Sequence, residues 1–424
     1  VYAISALVII VFLIVAEFRS CLRRKTASGF LFLLVLQGAF LHLWFLEGLF
    51  SGDSYAIDDR VPLLIFLFDA SLLVGWLFLR LVPVTARHYS YAGLQPRSSL
   101  TMAYWGLFAC CLLVSIYYFY QSGVAITGES IDESRYIARK GQGYLLIFLN
   151  RGLPLAACGL ALIYFARSHR LTPSRGMYLF LGLVPVSIPL VLLLATGFRA
   201  PLIYFILLLG FVYSDYRKKL SVAGVLSVGV IALVLFGLIT FFKYRDQIAA
   251  SESGIVALLG YVRHRVVMEL PWVIERSLDL VDKQGLWLGR SYYLDFVSAL
   301  PGPGISFGDY LLAFSNPDSP LAGLVPLTPS LIGEAFVNFG YIGVGLLGVA
   351  LPLGMHYIEN AGGIGLNTYV FRNTFKLFLA NSVTLGFGTL LASRIIPATL
   401  FMLSLVAVSF LVENSVSRDR KSSE

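Results

Sequence analysis

Between Thr328 and Gly348 the chain reads TPSLIGEAFVNFGYIGVGLLG, and Ser330, Glu334, Asn338 and Tyr341 fall at spacings of four, four and three. On a helix those spacings line one face. Thr328 followed by Pro329 reads as the start of that helix, a capping hydroxyl before a proline at the first helical position. Glu334 could then take a proton from a hydroxyl group, with Asn338 and Tyr341 as substrate contacts. Arginine is the second reagent: Arg135, Arg151, Arg199, Arg245, Arg263, Arg265 and Arg290 recur between or at the starts of apolar runs. A guanidinium is a permanently charged fork of donors that suits phosphate oxygens. No paired DxD, HExxH, P-loop or GxSxG stands in a plausible place. Asp58 and Asp59 are adjacent and point apart, and Asp279 and Asp282 have no obvious third ligand. No metal site and no cofactor are therefore expected.

The elements that must position these residues are membrane helices. The 424 residues are 58% hydrophobic and 13% charged, and apolar runs repeatedly reach the length that spans a bilayer. The expected fold is an all-α polytopic membrane protein of about eleven spans. They fall near 1–18, 29–50, 62–82, 100–120, 144–166, 176–195, 200–213, 221–242, 333–358, 369–391 and 395–412. The chain begins without Met, so a twelfth helix can precede the first, and Val1 to Val15 reads as a span rather than a cleaved signal. Three segments follow: a membrane bundle over 1–242, a large outer loop over 243–328, and the last spans and tail over 329–424. The loop carries a helix expected over Gly254 to Val281, amphipathic enough to lie on a membrane surface.

A net charge of +8 does not indicate nucleic acid, because the basic residues cluster in alternate loops. Fifteen lie on one side of the inferred topology and six on the other, which puts the C-terminus in the cytoplasm. Cys110, Cys111 and Cys158 lie inside spans and Cys21 in a basic loop, so no disulfide framework is expected. His42, Glu47, Asp69, Asn150, Arg151, Arg199, Glu334, Asn338 and Arg394 then fall in the outer half of the membrane. Each ionised group at mid-membrane costs about 2.5–3.5 kcal/mol, so a wet cavity opening outward is the economical arrangement. Singly, Arg60, Arg139 and Arg394 read as interface anchors. Asp69 reads as a packing partner of Arg151 or Arg199 as readily as a catalyst, and His42 as a satisfied core residue. A cavity with arginines, a carboxylate and aromatics such as Trp272, Trp287, Tyr292 and Tyr293 suits a phosphorylated lipid carrying sugars.

The run from Leu327 to Gly343 resembles the signature of the Wzy-type oligosaccharide repeat-unit polymerases, the O-antigen polymerase family, and so does its place after one large outer loop. Thr196 to Leu202 (TGFRAPL) resembles that family's Gly-x-Arg turn between central spans. The aromatic usually read as tyrosine between Ala335 and Val337 is Phe336 here, so no hydroxyl role carries over to it. The resemblance implies an enzyme of the bacterial inner membrane working on its outer face. It would move a growing chain from undecaprenyl pyrophosphate onto the next lipid-linked unit, with room for a chain-length regulator as partner. On that reading Arg199 and Arg151, helped by Arg263 or Arg265, clamp the donor pyrophosphate, and Glu334 or His264 takes the acceptor proton. Arg135, Arg290, Asn338 and Tyr341 complete the substrate contacts. An O-antigen ligase or other lipid-dependent glycosyltransferase would share these features, and a lipid or polysaccharide transporter is the reading from outside the enzymes.

Overall fold

The structure is a computed structural model. It describes residues 1–24, 28–51, 57–81, 98–124, 143–168, 175–197, 199–217, 267–300, 304–316, 327–360 and 366–422, with single positions between 234 and 263. Every regular element among them is helical. The helices run α1 (Tyr2–Arg24), α2 (Gly29–Leu41), α3 (Leu43–Ser51), α4 (Arg60–Leu81), α5 (Ser98–Ser122), α6 (Gly143–Ile147), α7 (Leu153–Ser168), α8 (Arg175–Ala195) and α9 (Arg199–Arg217). After them come α10 (Glu269–Gln284), α11 (Arg290–Ser298), α12 (Phe307–Ser315), α13 (Leu331–Asn360), α14 (Leu366–Ala380), α15 (Ser382–Leu385), α16 (Phe387–Leu390) and α17 (Ile396–Ser422). Two π-helical turns, Phe148–Gly152 and Leu391–Ile395, join α6 to α7 and α16 to α17.

Among the described residues seven helices are long and apolar enough to cross a membrane, or eight if the bent pair α2–α3 is one span. The protein is thus an all-α, multi-pass membrane protein. Of the further spans expected, 221–242 lies almost wholly outside the described residues, and 200–213 is a shorter apolar helix, Ala200–Ser214. The expected span 369–391 is not one helix: it is interrupted at Asn381 and again at Gly386, whose φ of 77° favours glycine.

Two compact units form. The first comprises Val1–Arg87, Tyr244–Ala361 and Phe375–Ser393, and the second His88–Lys243, Gly362–Thr374 and Arg394–Glu424. In the first unit α4 lies along α13 at close range because glycine faces backbone on both sides. A Cβ on Gly75 would stand 2.7 Å from the Val349 carbonyl, and one on Gly348 would stand 2.8 Å from that of Phe68. Small residues are what lets membrane helices approach so closely. Phe68 and Leu72 of α4, Leu33 and Leu34 of α2, Ile274 and Leu278 of α10 and Leu331 and Val344 of α13 bury a common core.

Helix α10 occupies part of the segment expected to lie on a membrane surface, but its apolar stripe is covered by protein. Ile274 and Leu278 face the α4–α13 core, while Val273 and Leu280 join Trp287, Phe307, Leu311 and Val337 in a second cluster. Its end is tied to α4 by Arg60, which donates to Asp58 and, through Nη1 and Nη2, to Asp282 at 2.9 and 2.7 Å. The Asp58 N–H also donates to Glu275 Oε1 at 3.2 Å. In the second unit α7 packs on α5. Gly159 admits the ring of Tyr104, which a Cβ would meet at 2.0 Å, and Trp105 Nε1 donates to the Tyr164 hydroxyl at 2.8 Å.

Candidate functional site

Glu334 sits in the first turn of α13, and the start of that helix differs from the sequence expectation. Thr328 and Pro329 precede it, and Ser330 is the cap: its Oγ accepts from Gly333 N at 2.9 Å. A serine two places on can satisfy an early N–H that Thr328 cannot reach. Gly333 has no Cβ, and one placed there would stand 2.6 Å from Ser277 Oγ of α10. The opening turn of α13 is therefore pressed into α10, which buries Ser330, Glu334 and Asn338 completely.

Helix α13 then breaks at Gly340, with φ 62° and ψ −151°, a backbone region open essentially to glycine. The carbonyls of Val337 and Asn338 are two of those whose helical partners would follow the break. They instead accept from Trp287 N and Leu288 N at 2.9 and 3.1 Å, and Gly289 N donates to Asn338 Oδ1 at 2.9 Å. The break thus docks the segment that opens α11. It also removes Tyr341 from the polar stripe, a correction to the continuous helix assumed from spacing. Tyr341 is 43% exposed and meets the ring of Phe336 edge-on at 5.2 Å.

Docked this way, α11 delivers two residues to Glu334 that the sequence reading did not single out. Asn338 Nδ2 donates to Ser291 Oγ at 2.6 Å, so the Ser291 hydroxyl turns its own proton to Glu334 Oε1, 3.0 Å away. Glu334 Oε2 accepts from Gly388 N at 3.0 Å, at the junction of the short helices α15 and α16. Asp295, four residues after Ser291, is the second find. Its Oδ1 accepts from Phe307 N and its Oδ2 accepts from Thr389 Oγ1, each at 2.8 Å. A Cβ on Gly388 would lie 2.7 Å from Glu334 Oε1 and 2.8 Å from Asp295 Oδ2, so the two carboxyl groups converge over that glycine. Burial pushes the Asp295 carboxyl above the ordinary carboxylate range, against the donors at Phe307 and Thr389 that pull it down. Tyr292, on the same helix, has its phenol pushed up by burial and by the nearby Glu334 charge. The sequence carried one signal for Asp295: Ser291 and Asp295 are four apart on a short amphipathic segment.

Some of the other expected residues of this unit have partners of their own. Arg263 is paired with Glu47. Arg290 is exposed and lies over the Trp287 ring at 5.0 Å, and His264 and Arg265 fall outside the described residues. Asp69, which read as a packing partner of Arg151 or Arg199 as readily as a catalyst, is taken up by Gln37 Nε2 and His42 Nε2, each at 2.9 Å.

Further expected arginines belong to the second unit. Arg151 lies in the first π-helical turn, three residues before Pro154, and its Nη1 donates to the Asn150 carbonyl at 3.0 Å. Proline brings no N–H to the carbonyls of such a turn, and the side chain supplies one. Arg394 repeats the pattern in the other π-helical turn, three residues before Pro397. It was expected as an interface anchor, yet it is only 4% exposed, with its guanidinium 4.3 Å over the ring of Tyr204. Its charge acts on Arg151. Tyr204 belongs to α9, the helix that Arg199 opens; the side chain of Arg199 and all of Arg135 lie outside what the structure describes. The repeated Arg-x-x-Pro was the available signal for Arg394. Among the described residues no three His, Cys, Asp or Glu side chains are grouped to hold a metal ion.

No curated protein and no solved structure matches the chain. A family model described as "Putative O-antigen polymerase" matches residues 161–375, which takes in α8, α9, α10, α11 and α12, the whole of α13 with Glu334, and the start of α14. That match covers just over half of the sequence, and the chain belongs to the O-antigen polymerase family of membrane enzymes that build polysaccharide from lipid-linked oligosaccharides.

Proposed function

We propose that the protein polymerises undecaprenyl-pyrophosphate-linked oligosaccharide repeat units at the outer face of a bacterial inner membrane, into an O-antigen or exopolysaccharide. Family membership supports the polymerase class. The observation that carries the site is Glu334, fully buried, with Ser291 Oγ donating to one oxygen and Gly388 N to the other.

In the reaction the acceptor hydroxyl oxygen bonds to the anomeric carbon of the donor chain. The bond from that carbon to the phosphate oxygen breaks, the prenyl diphosphate leaves, and the hydroxyl proton passes to Glu334. A diphosphate leaving group needs charge stabilisation and no nucleotide. Arg151 and Arg199 are assigned to it, with Arg394 beside Arg151 as a third cation. Glu334 is buried against the Gly386–Thr389 segment, so this reading requires that segment to give way for the acceptor. Arg263, Arg265, His264, Arg135, Arg290, Asn338 and Tyr341 remain the proposed substrate contacts, with Asn338 acting through Ser291.

Purified protein in liposomes with a synthetic lipid-linked repeat unit, read as a polymer ladder with and without chelator, tests this. Glu334→Gln should lower kcat by about 100-fold or more, and Arg199→Ala should abolish the ladder at normal protein levels. Full polymerisation by Arg199→Ala would remove the clamp, and a requirement for added divalent ion would overturn the metal-independent reading.

A further inference from the structure

Helix α11 is inside-out for a helix bathed in water. Ser291 and Asp295, four residues apart, are buried against Glu334 and Gly388. Tyr293, Phe296 and Leu300, three and four residues apart, are exposed, Tyr293 most of all at 66%. At 3.6 residues per turn that stripe lies roughly half a turn around the axis from Ser291. A helix in water hides its apolar stripe and shows its polar one, and α11 does the reverse. The segment leading into it repeats the pattern. Leu286 and Leu288 are exposed on either side of the buried Trp287. Leu288 holds φ 50°, the only positive value outside glycine among the described residues. Leucine adopts that backbone at a cost, and here the side chain it presents is 75% exposed. The segment is fastened to α13 by the Trp287 and Leu288 N–H groups, and a Cβ on Gly340 would stand 3.8 Å from Leu286 Cδ2. Next along α13, Ile342 and Leu346 are exposed on a helix long and apolar enough to cross a membrane. The exposed leucines therefore continue an apolar surface that faces lipid.

We propose that α11 and the Leu286–Leu288 turn are seated in the bilayer surface, with Tyr293, Phe296, Leu300 and the two leucines against lipid acyl chains at the headgroup boundary. An apolar stripe placed there is covered by lipid in place of protein. Tryptophan and tyrosine favour that depth, which suits Trp287 and Tyr293. Arg290 is exposed beside them with its guanidinium 5.0 Å over the Trp287 ring, and in this seat it lies at the level of the lipid phosphates. The surface-lying role expected of residues 254–281 then falls to α11, because the apolar stripe of α10 is already covered by protein. Ser291 and Asp295 are the inner side of the same helix, so the bilayer presses them toward Glu334. The seat of α11 is independent of whether Glu334 accepts a proton.

Nitroxide labels on the full chain in phosphatidylcholine liposomes, without any lipid-linked oligosaccharide, test this. Cys21, Cys111 and Cys158 are buried, so Cys110→Ser removes the exposed native thiol. Tyr293→Cys and Phe296→Cys are labelled in that background, with Leu346→Cys as the lipid reference and the exposed Lys283→Cys as the aqueous one. At Tyr293 and Phe296 collisions with dissolved oxygen should exceed those with a water-soluble nickel chelate, as at Leu346 and opposite to Lys283. Nickel collisions in excess would put the stripe in water and overturn the proposal. Few collisions with either reagent would mean that protein covers the stripe, a second copy included, and would overturn it equally. Should the labelled variants fail to fold, p-benzoylphenylalanine in place of Phe296 keeps an aromatic side chain there. Light should then raise the intact mass by one phospholipid, and adducts to protein alone would overturn the proposal.

Discussion

Two groups of carboxylates in the first unit are built on opposite principles. At the end of α10, Asp58 and Asp282 are partly exposed and share Arg60, whose guanidinium holds both carboxyls below their usual range. Over Gly388, Glu334 and Asp295 are buried side by side and are held by neutral donors from Ser291, Gly388, Phe307 and Thr389. The first arrangement is cheap to form and fixes one helix against another. The second is costly in a fold and stays reactive, because no fixed positive charge commits both carboxyls to ionisation. The contrast separates acids fixed by a shared cation from acids held by neutral donors.

Substitution of Gly388 should break that contrast most severely. A Cβ there would press on both carboxyl groups at once, and the atoms it meets are held by backbone and hydroxyl donors. Gly388→Ala is expected to cost about 1–3 kcal/mol in stability and to reduce polymer synthesis further than that loss of folded protein explains. Thermal unfolding and ladder formation measured on one preparation give the two numbers. Gly340→Ala acts at a distance, through the break that docks Trp287 and Leu288. Nothing stands closer than 3.8 Å to a Cβ there, so its expected cost of about 1–3 kcal/mol is conformational. Amide exchange should then rise in α11 before it rises in α4.

Arg60→Ala is expected to be the mildest, below about 1 kcal/mol for an ion pair this exposed, with polymer synthesis kept. A loss of activity as large as that of Glu334→Gln would erase the distinction between the two regions. Acidity sharpens it in opposite directions. Asp58 and Asp282 have depressed folded values, so their stabilisation is present above the ordinary aspartate value near 3.9 and is lost as pH falls through the folded values. Asp295 is raised, so its contribution is complete below that ordinary value and fades as pH rises through the folded one. In unfolding curves across pH, Arg60→Ala should flatten the acid side and Asp295→Asn the side toward neutrality.

The position of Glu334 in the first turn of a helix, four residues before an amide, could be read before any fold was known. The place of Asp295 could not be, because it depends on a meeting with Glu334 and with Thr389, which lie 39 and 94 positions further along the chain. Arg394 was misjudged for a related reason. An arginine near the end of an apolar run looks like an anchor until Tyr204 of α9 is found under it. Tyr341 was assigned to a stripe by periodicity, and a glycine with positive φ took it away.

That the chain is helical and lives in a membrane follows from its residues alone, because backbone groups in lipid must be satisfied within each segment and that demand is written locally in long apolar runs. So does the set of residue types available for chemistry. Which of them meet is settled by how the helices pack. Breaks at Gly340 and Gly386 and the close approach at Gly388 turn short helices onto one carboxylate, and such contacts depend on backbone paths that no local pattern encodes.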